Sequence, residues 1–201
     1  MCLLALAHDS DYFDRLLELG TEIIKRGKAY VDATPHEEMK EGRMHGIESA
    51  YRNNSIEENL RLWNEMIIGS DEGKKCLLRA KIDMQCPNKC LRDPGLYRVV
   101  DDTPHHRTGV KYKAYPLYDF ACPIVDSLEG VTHAMRSSEY HDRNPLYYWY
   151  RAAAAAAAVA VVAVALQAIA DSLLATFYYC YYTGCWMPSA CARSTLRTLV
   201  A

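Results

Sequence analysis

The sequence predicts an α/β protein that ends in an alanine-rich helical tail, and three observations carry that reading. Segments with apolar residues at helical spacing alternate with short runs rich in β-branched and aromatic residues. Capping residues punctuate the helical segments, with Ser, Thr or Asp before them and Gly after. The composition also breaks near Arg151. Residues 1–151 hold 21 of the 23 basic and 24 of the 25 acidic residues, whereas the last fifty hold only Asp171, Arg193 and Arg197.

The first helix is expected to open at Ser10 as N-cap, with Asp11 and Asp14 near the positive dipole end. Phe13, Leu16, Leu17, Ile23 and Ile24 supply its apolar stripe. Lys25 and Arg26 fall in the last turn, and Gly27 suits the left-handed position beyond it. Ala29-Tyr30-Val31 reads as a strand, so helix and strand together look like half of a βαβ repeat.

A second helix starts at Thr34-Pro35-His36-Glu37, with Thr34 as N-cap, Pro35 at N1 and Glu37 completing a capping box. Ser55-Ile56-Glu57-Glu58 repeats the logic. Leu60, Trp63 and Ile67 give that helix its apolar face, and Gly69 ends it. The polar stretch His45–Asn54 between them reads as a mobile loop. Cys76–Met84 and Leu96–Val100 are expected strands, and Lys111–Tyr115 returns as a third, closing a hairpin with a long loop. Asp119–Leu128 is a helix ending at Gly130, and Val131–Met135 a buried strand.

The net charge of −2 gives no global basic signal for nucleic acid, which leaves room for a local patch. Eight scattered cysteines with no basic, secretory-type start read as reduced thiols of a cytoplasmic protein. Cys86 and Cys90 form only half of a zinc site, with no second Cys/His pair nearby, so zinc is not expected. His133 reads as a core histidine, Cys122 as a small buried side chain, and His105-His106 as a solvated pair.

Two long strings carry a family resemblance. One is Leu78-Arg79-Ala80-Lys81-Ile82-Asp83-Met84 with Leu91-Arg92-Asp93-Pro94-Gly95-Leu96-Tyr97-Arg98. The other is Tyr115-Pro116-Leu117-Tyr118-Asp119-Phe120-Ala121-Cys122-Pro123, running on through Asp126–His133 to Glu139-Tyr140. Together they resemble the eukaryotic-type glutamyl- and glutaminyl-tRNA synthetases from about Ser10 to Tyr150. The resemblance implies part of a class I Rossmann fold, split by an inserted α+β domain that grips the tRNA acceptor stem. Residues 1–30 would end the first Rossmann half, 31–115 would be the insertion, 116–150 would start the second half, and 151–201 would be the tail.

The resemblance further implies ATP-dependent activation of glutamate and its transfer to tRNA, with Mg²⁺ accompanying ATP and other synthetase domains as possible companions. The glutamyl enzymes carry arginine where this chain has Arg136, and the glutaminyl enzymes carry cysteine. A guanidinium can hold a desolvated carboxylate through charge-assisted hydrogen bonds, whereas glutamine offers no charge to pair. Tyr118 matches the family tyrosine that contacts the substrate amino acid. Lys74, Lys75, Arg79, Lys81 and Arg92, with Lys89 and Arg98, cluster in the expected insertion and would meet tRNA phosphates.

The sequence departs from the family at both nucleotide signatures. Neither the His-Ile-Gly-His string nor the Lys-Met-Ser-Lys-Ser string occurs in the 201 residues, so no residue is assigned to catalysis and the chain alone is expected to be inactive. The alternatives are a non-catalytic RNA-binding module and a membrane-tethered derivative. Ala152–Ala170 has the length of a bilayer span, yet alanine is weakly hydrophobic and Asp171 follows. The tail therefore reads as a low-complexity extension, helical over Ala152–Leu174, and no membrane partner is expected.

Overall fold

A computed structural model describes residues 8–100 and 103–153. They belong to a unit running from Met1 to Ala157; the rest of the chain, and with it nearly all of the expected tail, lies outside the described residues. Four helices and four strands follow in the order α1 (Phe13–Lys25), β1 (Ala29–Asp32), α2 (His36–His45), α3 (Ile56–Ile68), β2 (Leu77–Ala80), β3 (Gly95–Val99), β4 (Ala114–Pro116) and α4 (Tyr118–Leu128). A further helix begins at residue 144 and continues through residue 153.

The strands form one sheet in the order β1-β2-β3-β4, and every pair is antiparallel. Val31 faces Leu78, Leu78 faces Tyr97, and Tyr97 faces Pro116 across it. This corrects the βαβ reading of α1 and Ala29-Tyr30-Val31: β1 is the edge of an antiparallel sheet. The local pattern specifies an extended strand but not its partner, since β2 lies more than forty residues downstream. The β3–β4 hairpin with its long loop matches expectation. The expected boundaries at 30/31 and 115/116 fall inside β1 and β4, so strand pairing continues across both.

Alternation sorts the sheet into two faces. Ala29, Val31, Leu78, Ala80 and Tyr97 join the apolar core with Leu16, Leu19, Ile23 and Ile24 of α1 and Leu62, Trp63 and Met66 of α3. The α3 stripe is thus offset from the expected one: Leu62 and Met66 are buried where Leu60 and Ile67 are only partly so. Gly20 lets the helices close up, because a Cβ there would stand 3.3 Å from the Trp63 ring. A line of aromatic contacts continues the core from Trp63 edge-on to Tyr97 (4.9 Å), then tilted to Phe120 of α4 (5.5 Å) and edge-on to Tyr150 (5.5 Å). Trp63 satisfies its indole N–H by donating to Thr21 Oγ1 at 3.0 Å.

The other face carries a buried ionic network. Arg79 Nη1 donates to Asp32 Oδ2 at 2.6 Å and its Nε to the Asp93 carbonyl at 2.8 Å. The Asp93 carboxylate accepts from Arg52 Nε, the Ile82 amide and the Tyr30 hydroxyl. Asp93 is the one described non-glycine residue with positive φ, at 41°, which aims its side chain inward ahead of Pro94.

Several local readings change. The first helix is entered through a 3-10 turn, Asp9–Tyr12, in which the Asp11 carboxylate accepts the His8 amide; Ser10 instead accepts from Arg107 Nη1 at 2.8 Å. Pro35, not Thr34, is the N-cap of α2, because the Thr34 hydroxyl donates to Asp32. Ser55 does cap α3, accepting the Glu58 amide at 3.2 Å. The stretch expected to be a mobile loop contains a 3-10 turn, Ala50–Asn53, held by Ser49 to Asp32 of β1 and by Arg52 to Asp93, just ahead of β3.

Val131–Met135 is the largest correction. It forms no strand, and Val131 (43% exposed) and Met135 (95% exposed) face solvent. A buried parallel strand needs neighbours to pair with, and no described strand pairs with this segment. His133 is accordingly exposed, its ring within 2.9 Å of Thr132 Oγ1, and is not a core histidine.

Candidate functional site

Arg136 follows this irregular segment, yet its side chain turns inward and is 12% exposed. Three tyrosines surround the guanidinium. Its Cζ stands 4.8 Å from the Tyr140 ring centre, 5.4 Å from Tyr147 and 5.9 Å from Tyr118. Tyr118 opens α4, Tyr140 sits in the 3-10 turn Ser138–Arg143, and Tyr147 lies on the helix from residue 144. Aromatic faces attract a cation but accept hydrogen bonds poorly. Nε and Nη1 of Arg136 are buried and have no hydrogen-bond partner among the described residues. Buried charged donors are ordinarily paired, so this arrangement leaves places for an external acceptor.

The nearest anion is Asp119. Its Oδ1 lies 4.0 Å from Arg136 Nη2, beyond hydrogen-bond range, while Oδ2 accepts from Arg143 Nη1 at 2.8 Å. That bond raises the Arg143 pKa above its ordinary value. Asp126 is occupied too, accepting from the Tyr147 hydroxyl at 2.8 Å. Burial, with that carboxylate beside it, pushes the Tyr147 phenol up to about 12. Tyr118 is also raised, by its hydrogen bond with Cys122 and by desolvation, so both phenols stay protonated at neutral pH.

A cavity of about 210 Å³ opens beside Arg136, lined also by Thr132, Asn144, Tyr147 and Arg151. Two arginines and no carboxylate line it, which suits a small anion with an acceptor-only end group. A second cavity, of about 510 Å³, lies between Tyr118, Phe13, His8, Ser10, His105 and His106. His105 is packed edge-on to Phe13 at 5.7 Å and only His106 is fully exposed, so the pair is not simply solvated. Tyr118 is half exposed between the two regions.

The basic residues fare unequally. Lys74 and Lys75 are exposed in the 3-10 turn before β2, and Lys81 follows β2, with Nζ 3.2 Å from Asn53 Oδ1. Five residues, Cys76 and the strand Leu77–Ala80, separate Lys75 from Lys81, roughly 20 Å along an extended chain. Arg92 spends its donors on the carbonyls of Cys86, Arg43 and Met44. Arg79 is 2% exposed and its guanidinium is tied into the ionic network; in sequence its basic neighbours made it look like part of a surface. Arg143, Asp119, Tyr140 and Tyr147 were not singled out from sequence. Asp119 and Tyr140 stood only as letters of the quoted strings, and Arg143 and Tyr147 lie just beyond them.

Among the described residues, no group of three or more His, Cys, Asp or Glu could hold a metal, and Cys86, Cys90 and half-buried Cys122 are free thiols. Nor is any described helix long and apolar enough to cross a membrane.

Comparison with known proteins bears on this geometry. Residues 4–174 match the family described as tRNA synthetases class I (E and Q), catalytic domain. The chain is 57% identical over 143 residues to the cytoplasmic glutamate–tRNA ligase of Arabidopsis thaliana, which covers 71% of this chain and 20% of that protein. It is 57% identical over 143 residues to the bifunctional glutamate/proline–tRNA ligase of Drosophila melanogaster, covering 71% and 8% respectively. The cytoplasmic glutamate–tRNA ligase of Saccharomyces cerevisiae is 54% identical over 145 residues, covering 72% and 20%. The chain thus spans about a fifth of the single-function relatives and less of the bifunctional one.

Proposed function

Because this chain belongs to the class I tRNA synthetase family for glutamate and glutamine, we propose that it is the glutamate-reading part of a glutamate–tRNA ligase. The carrying observation is Arg136, a buried guanidinium in a tyrosine cage whose Nε and Nη1 have no acceptor among the described residues. A glutamate side-chain carboxylate would supply that acceptor and balance the charge left over when Asp119 pairs with Arg143. The amide of glutamine would leave the positive charge unpaired. Tyr118, which lines the larger neighbouring cavity and lies 5.9 Å from the Arg136 guanidinium, would contact the amino-acid backbone portion.

In the complete reaction the glutamate α-carboxylate would attack the ATP α-phosphate to form an acyl adenylate with loss of pyrophosphate, and a tRNA-end hydroxyl would then take the glutamyl group with release of AMP; Mg²⁺ bound with ATP would supply charge neutralisation. This chain's own contribution is positioning and charge recognition, which act by holding the reacting carboxylate where attack can occur. Residues 31–115 serve as the insertion that meets the acceptor stem, with exposed Lys74 and Lys75 and half-buried Lys81 as its phosphate contacts and buried Arg79 as a structural arginine. Arg92 orders the loop that carries Lys89. A cytoplasmic location, and further synthetase domains in some settings, accord with the names of the relatives.

The test is titration of the 201-residue chain with isotopically labelled glutamate and glutamine, followed by NMR. Selective broadening of glutamate that glutarate competes away supports the reading. Equal response to both amino acids, or none to either, removes it.

A further inference from the structure

Arg136 faces a problem that its neighbours have to solve. A largely buried arginine (12% exposed) beside a half-buried aspartate (21% exposed) ordinarily collapses into a close ion pair. Such a pair would consume the donors that a substrate carboxylate needs. Here the collapse has not occurred: Asp119 Oδ1 remains 4.0 Å from Arg136 Nη2.

Arg143 explains the gap. It holds the other oxygen of Asp119 at 2.8 Å, and its guanidinium packs over the Tyr140 ring at 5.3 Å, the same ring that Arg136 approaches at 4.8 Å. The two guanidiniums thus share one ring and one carboxylate, and the strong hydrogen bond goes to the more exposed of them. The loop behind is tied in as well, since Asn88 Nδ2 donates to the carbonyl of Asp142, immediately before Arg143.

We infer that Asp119 and Arg143 form a positioning pair: Arg143 draws Asp119 away from Arg136, so that Arg136 keeps its donors for a substrate carboxylate. The pair deepens the glutamate reading proposed above and rests on it. Asp119 fixes the Arg136 guanidinium through the field at 4 Å, while Arg143 prevents that attraction from closing into a hydrogen bond. Arg143 acts through Asp119 and does not itself read the substrate.

The inference makes an unusual double-variant prediction. In Arg143→Gln, Asp119 is released to pair with Arg136, and glutamate affinity falls about tenfold with glutamine affinity unchanged. In Asp119→Asn/Arg143→Gln, no anion remains to capture Arg136, and most of the glutamate affinity returns. Neighbouring sites that share a partner are where such non-additivity is expected. Arg143→Lys keeps the charge beside Asp119 and retains most of the affinity.

The experiment titrates the full chain and these variants with glutamate and glutamine, and follows the Arg136 Nε–H resonance by ¹⁵N NMR. Circular dichroism verifies the fold of each variant. Recovery in the double variant, with the Arg136 resonance returning to its original position, supports the positioning pair. A double variant as weak as Arg143→Gln overturns it, as does an Arg143→Gln protein that keeps its preference. If the parent chain itself fails to prefer glutamate, the underlying reading falls instead, and that outcome is visible before any Arg143 variant is made. Should Arg143→Gln not fold, Asp119→Asn alone decides: the positioning pair requires its glutamate affinity to be no more than a few-fold reduced, because Arg136 keeps Nε and Nη1 unpaired, and a complete loss overturns it.

Discussion

Replacing Arg79 by leucine should damage the fold rather than a binding surface, and the size of the damage follows from its partners. Arg79 donates through Nη1 to Asp32 and through Nε to the Asp93 carbonyl, and its guanidinium lies 5.6 Å from the Tyr30 ring centre. Leucine leaves Asp32 fully buried with its main counter-charge gone. Removing one partner of a buried pair costs about 3–5 kcal/mol. Asp32 keeps hydrogen bonds from the Thr34 amide and hydroxyl and from Ser49, which places the expected loss near 3 kcal/mol, the lower end of that range. The loss should depend on pH. Burial alone would raise the Asp32 carboxyl, but hydrogen bonds from Thr34 and Arg79 outweigh it and hold the pKa below its ordinary value. A depressed carboxylate contributes stability that is present above the unfolded pKa and lost as pH falls through the folded one. The gap between parent and Arg79→Leu should therefore be full near neutrality and narrow as pH falls below about 4. Urea unfolding of both proteins across that range measures it. A variant within 0.5 kcal/mol of the parent at pH 7, or a gap independent of pH, would refute the buried-pair account.

Three further expectations concern other parts of the molecule. Gly73→Ala would bring a Cβ within 2.3 Å of the Glu65 carbonyl oxygen, so the turn must shift, and a loss of about 1–3 kcal/mol in urea unfolding is expected. Lys75→Ala, at an exposed position, should change stability by less than about 0.5 kcal/mol yet reduce the salt slope of acceptor-stem RNA binding by about 1. An unchanged slope would remove Lys75 from the proposed phosphate contacts. The 201-residue chain should give no glutamate-dependent pyrophosphate exchange, since neither nucleotide signature occurs in its sequence; robust exchange would require an unrecognised substitute site.

How much was legible in the sequence depended on whether the signal was local. Apolar spacing placed α1, α3 and α4, and the Ser55 cap was right because its partner, the Glu58 amide, lies three residues on. Thr34 misled because its hydroxyl has a competing acceptor in Asp32, which no capping rule anticipates. The run at Ala29–Val31 announced a strand, but its antiparallel partner is set by tertiary packing. Val131–Met135 has the composition of a buried strand, and composition cannot supply the neighbours that such a strand requires. At the site, Arg136 and Tyr118 were found through the motif around them. Their dependence on Arg143, Asp119, Tyr140 and Tyr147 was not, because four residues spread over a helix start, a turn and a second helix converge only in three dimensions. Arg79 and Lys75 look alike in sequence, and only the sheet reveals that one is internal and the other solvated.

The central claim is that Arg136 reads a carboxylate, and its most direct measurement is the ratio of affinities for glutamate and glutamine in Arg136→Cys. Losing one partner of a desolvated charged hydrogen bond costs about 2–5 kcal/mol, hence tens- to thousands-fold. The account predicts that the variant loses glutamate binding by such a factor while glutamine binding is unchanged or improved, and that Arg136→Lys recovers it only in part because an ammonium lacks the planar fork. An Arg136→Cys protein that folds and keeps the parent's ratio would contradict the account and leave Arg136 a structural arginine.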